Sequence, residues 1–436
     1  MAERINALPG PLATAVYFIV SLFPLVLVHE LGHFIVAKLC RVRVDEFGLG
    51  FPPRLLRLGK VGETEYTINA LPLGGFVKLA GEDDPTVQGS FASRGKRVRS
   101  AVLLAGPAAN FALAALIFAG MAWAGLIPDP VYGIDGVRVT RVTDGSPAHA
   151  GGLLANDIIL AVDGERLAGP DAPQPGPSRA AASVQALVER TDAAADTPMA
   201  LTVLRGELRR LPRATSLDGV SWAPADIPGV EGRLVAAAPA GAAARAGDVV
   251  LQLGAPAGDA GAQAVLREAQ VLVLAVVPVR AGRGDPARMG VQISAPSVPA
   301  RYGLVAGAVH GVRFTGTVLH AMLTALASMF TGQQDVQLAG PVGISIMSRE
   351  MGQQGVVALL EFMALLSLNL GLINLLPIPA LDGGRLLFIA AEALRGRRVE
   401  PNREAVVHLI GFVAVIGLMG VLTLMEVARL TGITAP

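Results

Sequence analysis

The chain has 436 residues, of which 52% are hydrophobic and only 16% charged, with a mean hydropathy of +0.53. That is too apolar for an ordinary soluble chain of this length. A formal net charge of +1, with no basic tract interleaved with aromatics, excludes an electrostatic nucleic-acid binder, and the single cysteine, Cys40, excludes intramolecular disulfides and any cysteine-built metal site.

An apolar run from Leu12 to Val28 opens the chain and continues directly into His29-Glu30-Leu31-Gly32-His33. It is longer than a signal-peptide core and has no small-residue cleavage site, so it reads as a retained first span over 12–39. On a helix, positions i and i+4 share a face, so His29 and His33 can both offer a ring nitrogen to one metal ion. Glu30 stands beside them as a general base for the attacking water. Ionisable groups at membrane depth cost roughly 2.5–3.5 kcal/mol on insertion scales and are functional by default. From Leu12 to His29 the helix rises about 26 Å, which in a hydrocarbon core of about 30 Å places the metal near the second leaflet.

Lys38, Arg41, Arg43, Arg54, Arg57 and Lys60 follow this span, and Arg94, Lys96, Arg97 and Arg99 precede the next, which marks a cytoplasmic loop. Within it Glu65–Asn69 and Phe76–Leu79 alternate like strands around Leu71-Pro72-Leu73-Gly74-Gly75, which predicts a β-hairpin. The second span, 100–126, carries Gly106-Pro107-Ala108-Ala109-Asn110. Its small residues permit close helix contact, and Asn110 is either helix-packing glue or a support for the metal ligands.

Residues 127–300 are less apolar and contain no spanning run, so they form a water-exposed insert on the opposite, extracytoplasmic side. Gly145–Leu153 followed by Asn156–Gly164 resembles the core of a PDZ domain, and a degraded echo follows at Pro239–Gly254. Tandem PDZ-like domains at 127–215 and 216–300 are expected, with a Pro/Gly-rich loop at 168–179. Such domains take peptide ends by strand addition, although these two could instead only shape access to the membrane site. Leu304–Phe330 has helical apolar spacing interrupted by His310, Arg313 and His320, and topology favours a helix lying at the membrane surface within 301–350.

The third span begins near 355 and contains Asn369, Asn374, Pro377, Pro379 and Asp382. The prolines break the helix deep in an apolar segment, and Asp382 arrives about as deep as His29. A carboxylate there would supply a third zinc ligand and leave the fourth position for water. Arg395, Arg397 and Arg403 mark a second cytoplasmic loop before a fourth span over 406–427. The resulting fold class is a polytopic α-helical membrane protein of four transmembrane helices, divided as 1–126, the two PDZ-like segments, 301–350 and 351–436.

Taken together, the His-Glu-Leu-Gly-His helix, the Leu-Pro-Leu-Gly-Gly-Phe-Val-Lys hairpin, the Gly-Pro-Ala-Ala-Asn span, the PDZ-like insert and Asn374-Leu-Leu-Pro-Ile-Pro-Ala-Leu-Asp-Gly-Gly384 resemble a bacterial site-2 protease, in the PDZ-containing branch that regulates sigma-E-type signalling. The resemblance implies Zn2+ held by His29, His33 and Asp382, with Glu30 as general base. It implies that Asn374 holds the substrate backbone or the oxyanion, and that the hairpin, including Gly74, Gly75 and Phe76, pairs with an unwound substrate strand. Asn110, Pro107, Pro377, Pro379 and Asn369 would support the site. The implied substrates are single-pass proteins in the bacterial cytoplasmic membrane, above all a membrane-anchored anti-sigma factor already trimmed outside. Clearance of leftover signal peptides, a non-proteolytic PDZ scaffold and, more remotely, a zinc transporter are the alternatives.

Overall fold

The computed structural model describes the chain except residues 1–4, 6–7, 83, 85, 133, 168–176, 212–218, 226, 228–229, 231, 240–241, 243, 254–262, 281–285, 331–339, 398 and 431–436. In chain order the elements begin with α1 (Gly10–Leu39), β1 (Val44–Val61), β2 (Thr64–Leu79) and α2 (Lys96–Ala124). There follow β3 (Ile127–Tyr132), β4 (Val137–Val142), α3 (Pro147–Ala150), β5 (Ile158–Val162), β6 (Glu165–Arg166), α4 (Pro177–Ala193) and β7 (Met199–Arg210). Next come β8 (Ser221–Pro224), β9 (Arg233–Ala237), β10 (Val249–Leu253), β11 (Gln263–Val276), β12 (Val291–Ser294) and β13 (Ser297–Ala300). The chain closes with α5 (Leu304–Phe330), α6 (Pro341–Gln354), α7 (Val356–Leu375), α8 (Asp382–Arg395) and α9 (Pro401–Leu430). Two compact units result, Met1–Ala124 with Tyr302–Pro436, and Gly125–Arg301.

In the first unit α1, α2, α7 and Arg403–Ala428 of α9 are long and apolar enough to cross a membrane. The helices α1 and α2 approach closely at Gly32, where a Cβ would lie 2.8 Å from that of Ala109. The helix α7 fastens to the same place, since the Ser367 hydroxyl donates to the Asn110 carbonyl at 2.9 Å. Two bends fold the hairpin on itself, β1 around Phe51–Arg54 and β2 around Leu71–Gly75. Phe47–Leu49 is thereby flanked by Tyr66–Ile68 on one side and Gly75–Val77 on the other. The strand Val44–Val61 escaped the sequence reading, which placed both arms of the hairpin within 65–79.

Helix α5, expected at the membrane surface, is not among the described helices long and apolar enough to cross a membrane, and it packs on one that is. It runs antiparallel along α2, with the Tyr302 N–H donating to the Ala122 carbonyl, Gly307 beside Ala119 and Gly311 against Ala115 and Ala119. Phe314 then meets Phe118 edge to face at 4.8 Å. The cause is Gly307-x-x-x-Gly311, whose missing side chains let the two backbones meet. The linker before the third span is also helical, as α6, broken from α7 at Gly355 with φ +122°.

The second unit is one sheet ordered β12-β4-β5-β7-β11-β10-β3-β13, with β8 and β9 continuing from β10. It repeats itself. In one half the Asn156 N–H donates to the Val139 carbonyl and the Val139 N–H to the Asp157 carbonyl; in the other Gly247 and Val235, then Val235 and Asp248, do the same. Asn156 and Gly247 both take left-handed backbone, φ +78° and +89°, so asparagine serves where the echo has glycine. Asp157 receives the Leu154 N–H and the Arg205 guanidinium; Asp248 receives the Arg245 N–H and the Arg267 guanidinium. The hydrogen bonds that Arg205 donates to Asp157 raise its pKa above the usual value.

The halves are nested: strands from either side of the expected 215/216 boundary pair with each other. Met199–Arg205 pairs with Gln270–Val276 in one half, and Glu207–Arg210 with Ala264–Arg267 in the other. The segment between Gly206 and Glu268 is therefore inserted into the first half. Val276 and Met289, far along the chain, complete the core of Val137, Val139, Leu153, Ile159 and Leu201. The echo positions 240, 241, 243 and 254 and the loop at 168–176 lie outside the described residues, while Pro177–Arg179, also expected as loop, opens α4.

Candidate active site

His29 and His33 fall on the buried face of α1, and Asp382 starts α8 immediately after the broken segment 376–381. The three offer ligand atoms that lie within 4.8 Å of one another. His29 Nε2 is 3.1 Å from His33 Nε2 and 3.1 Å from Asp382 Oδ2, and His33 Nε2 is 3.3 Å from the same oxygen. Tetrahedral zinc with bonds near 2.0–2.1 Å has ligand–ligand edges of about 3.3 Å, so the donor set fits that ion.

The outer edges of both rings agree. His33 Nδ1 sits 2.7 Å from the Val102 carbonyl, to which it can only donate, so Nε2 carries the lone pair. His29 Nδ1 faces the amide of fully buried Asn110 at 3.1 Å. A His29 that binds metal through Nε2 carries its proton on Nδ1. The Asn110 Oδ1, which has no partner among the described residues, is the group that would accept it once the amide presents that edge. Gly106 provides the room: a Cβ there would stand on His33 Nε2, 2.6 Å from His33 Cε1 and 2.7 Å from His29 Nε2. The sequence marks Gly106 only as a small residue for helix contact. Its second use appears when both histidines are seen to point at it.

Glu30 lies on the same cavity, which has a volume of about 270 Å³ and is also lined by Val77, Leu79, Glu82, Asn374, Leu381 and Arg385. The Val77 N–H donates to Glu30 Oε2 at 3.1 Å, tying the outer arm of the hairpin to the motif helix. Val77 and Leu79 line this space, whereas Gly74, Gly75 and Phe76 do not. Gly74 and Gly75 let the strand press on α1, where a Cβ on Gly74 would collide with Val26 and one on Gly75 would lie 3.5 Å from Leu27. The Phe76 ring fills the space over Gly48. Asn374 reaches the cavity, with its Nδ2 donating to the Leu370 carbonyl at 3.0 Å. Pro107 is buried inside α2 and Pro377 and Pro379 shape the segment before Asp382, while Asn369, half-buried on α7, joins neither the ligands nor the cavity. At the mouth, Arg385 pairs with Glu82 at 3.1 Å, a contact the sequence reading did not foresee.

A second cavity, about 410 Å³, lies in the Gly125–Arg301 unit between α4 and β12. Leu187, Val188 and Thr191 form one wall, Val291 and Ile293 the other, and Met289-Gly290 closes one end. The strand β12 ends the sheet, so its outer edge has no partner strand among the described residues.

Comparison with known proteins follows the same lines. The family model described as peptidase family M50 matches residues 17–418. Among relatives, the zinc metalloprotease RasP of Bacillus licheniformis is 31% identical over 96% of this chain and 99% of its own length. The zinc metalloprotease RasP of Geobacillus kaustophilus is 30% identical over 96% and 98%, and the regulator of sigma-W protease RasP of Bacillus subtilis 29% identical over 96% and 99%. The family match begins inside α1, ahead of the two histidines, and ends inside α9, beyond Asp382, so it takes in all three candidate ligands. The chain is a multi-pass membrane zinc metalloprotease and belongs to peptidase family M50, the site-2 proteases.

Proposed function

We propose that this protease cuts single-pass proteins within their membrane spans, using His29, His33 and Asp382 to hold zinc and Glu30 as the base. The convergence of these three ligand atoms beside Glu30 in one cavity carries the reading. Zinc bound there would polarise the scissile carbonyl and lower the pKa of a water to about 7. Glu30 takes the proton of the attacking water and returns it to the departing amine, so no proton need leave the cavity. The Asn374 Nδ2 donates one hydrogen to Leu370, which leaves its second N–H for the oxyanion or its amide oxygen for a substrate N–H.

A helical substrate hides its amides in its own hydrogen bonds and must unwind before it is cut. The arm Gly75–Leu79 supplies replacement partners by strand addition, alongside Val77 and Leu79 that line the cavity. The positive residues around 38–60, 94–99 and 395–403 support a cytoplasmic-side catalytic centre and an extracytoplasmic insert in a bacterial cytoplasmic membrane. The repeated halves of that insert support tandem PDZ-like domains, and the cavity between α4 and β12 supports capture of an apolar peptide C-terminus in the first. The Bacillus subtilis relative is named for sigma-W regulation. By analogy the substrate here is a membrane-anchored anti-sigma factor, already trimmed outside, and the function is regulated intramembrane proteolysis.

The test uses purified full-length protein in detergent with a panel of single-pass substrates. Glu30→Gln should keep zinc and lose cleavage by about 10²–10⁴-fold. Cleavage by Glu30→Gln at the native rate would overturn the mechanism.

A further inference from the structure

The last helix, α9, supplies no metal ligand, yet its seat in the first unit is on the segment that delivers one. Among its described residues only Gly411 is buried, while Val406, Leu409, Ile410, Phe412 and Val413 are exposed. A helix that buries so little is fixed by few contacts. At Gly411 a Cβ would lie 2.6 Å from the Pro379 carbonyl oxygen, so the backbone of α9 rests directly on the broken segment. One turn earlier, on the same face, His408 Nδ1 accepts the Ala380 N–H at 2.9 Å.

Ala380 is a non-glycine residue in left-handed backbone, φ +79°, a conformation that persists only where its surroundings hold it. The segment's own hydrogen bonds, Ile378 to Leu376 and Leu381 to Ile378, leave the Ala380 N–H out. His408 receives it. The Phe388 ring of α8 packs 5.5 Å from the His408 ring, so His408 touches both the segment before Asp382 and the helix that Asp382 begins.

We infer that His408 is a positioning residue for the metal centre. By holding the Ala380 N–H it fixes the turn that presents Asp382 to His29 and His33, and zinc affinity depends on it although it is not a ligand. The inference rests on the reading of His29, His33 and Asp382 as the zinc site.

Zinc affinity is measured on full-length protein in detergent by chelator competition. His408→Leu removes the acceptor, and about 10–100-fold weaker binding is expected, the range for groups that orient a ligand. His408→Asn places an amide oxygen near the position of Nδ1 and should stay within about threefold of the native affinity. Glu426→Ala removes a distant polar attachment of α9, the Gly340 N–H to Glu426 bond. That attachment lies about 27 Å along the helix, and its loss should leave zinc affinity within about threefold. Native affinity in His408→Leu, or equal losses in His408→Leu and either of the other two variants, would overturn the inference. Should His408→Leu fail to fold, Gly411→Ala, which pushes on Pro379 with His408 intact, should weaken zinc in its place; native affinity there would be equally fatal. His33→Ala separates the premise from the inference: loss of zinc there upholds the site whatever His408→Leu does, and native affinity there removes both.

Discussion

Gly106→Ala is the sharpest test of the metal centre because it adds one methyl group and removes nothing. The added carbon would sit 2.7 Å from His29 Nε2 and closer still to His33 Nε2. Non-bonded heavy atoms are most comfortable at about 3.5 Å or more, so the His29 edge must retreat by about 0.8 Å and the His33 edge by more. Metal–ligand distances tolerate about ±0.2 Å, and the ring edges that would retreat are those that hold the ion. A loss of zinc affinity of about 100-fold or more is expected, read by chelator competition on the full-length protein. Gly311→Ala is the control. Its methyl would crowd Ala119, 2.7 Å from the backbone nitrogen, at a place with no titratable cluster, so it should cost about 1–3 kcal/mol of stability with zinc affinity unchanged. Native zinc affinity in Gly106→Ala, or equal losses in both variants, would refute the assignment of the space beside Gly106 to the metal.

Other outcomes follow from the same geometry. Asn110→Ala should keep the fold and weaken zinc by about 10–100-fold, measured by the same competition; unchanged affinity would return Asn110 to helix packing alone. Stripping zinc with a chelator should abolish cleavage and adding it back should restore it, and cleavage by metal-free protein would contradict the mechanism. Arg205→Ala leaves Asp157, whose side chain is 2% exposed, without its cation. Because Arg205 itself is a third exposed, the loss should be about 2 kcal/mol rather than the full value of a buried pair. Arg267→Ala should act alike at Asp248. Thermal melting of the full-length protein checks both, and an unchanged melting point would show that these clamps carry no stability.

The sequence made the candidate metal centre legible because its proposed ligands announce themselves twice, by helical spacing at His29 and His33 and by depth at Asp382. It hid whatever depends on empty space. Gly106, Gly307 and Gly311 carry no chemistry of their own, and their value appears only when the partner surfaces are in view. The first half of the insert was readable from Gly145 to Gly164, where a local turn, cap and strand follow one another. The nesting was not, because the alternation in 199–210 and 263–276 says that these are strands but not which residues they meet. Pairing Val142 with Val291 is a long-range choice that local pattern cannot make. For helix α5, topology pointed to the membrane surface but could not show its partner: Tyr302 and Phe314 stack on the His310 ring and the glycines sit against α2.

The nested strands also set the order in which the insert can be completed as it leaves the ribosome. When β4 and β5 emerge, their neighbour β12 is still to be synthesised, and so is Met289, which closes their core. The inner pairing of Glu207–Arg210 with Ala264–Arg267 can form earlier, but its core still waits for Val298. The outer half must wait with an open sheet edge and an unfilled core, the kind of surface that invites wrong partners and slows folding. For anyone redesigning this protein, cutting at Gly206 and Glu268 would not free the inner piece cleanly, because Ile158, Leu160 and Leu204 share a core with Val249, Leu251 and Leu266. A cut at 215/216 would leave two fragments that each lack strands held by the other.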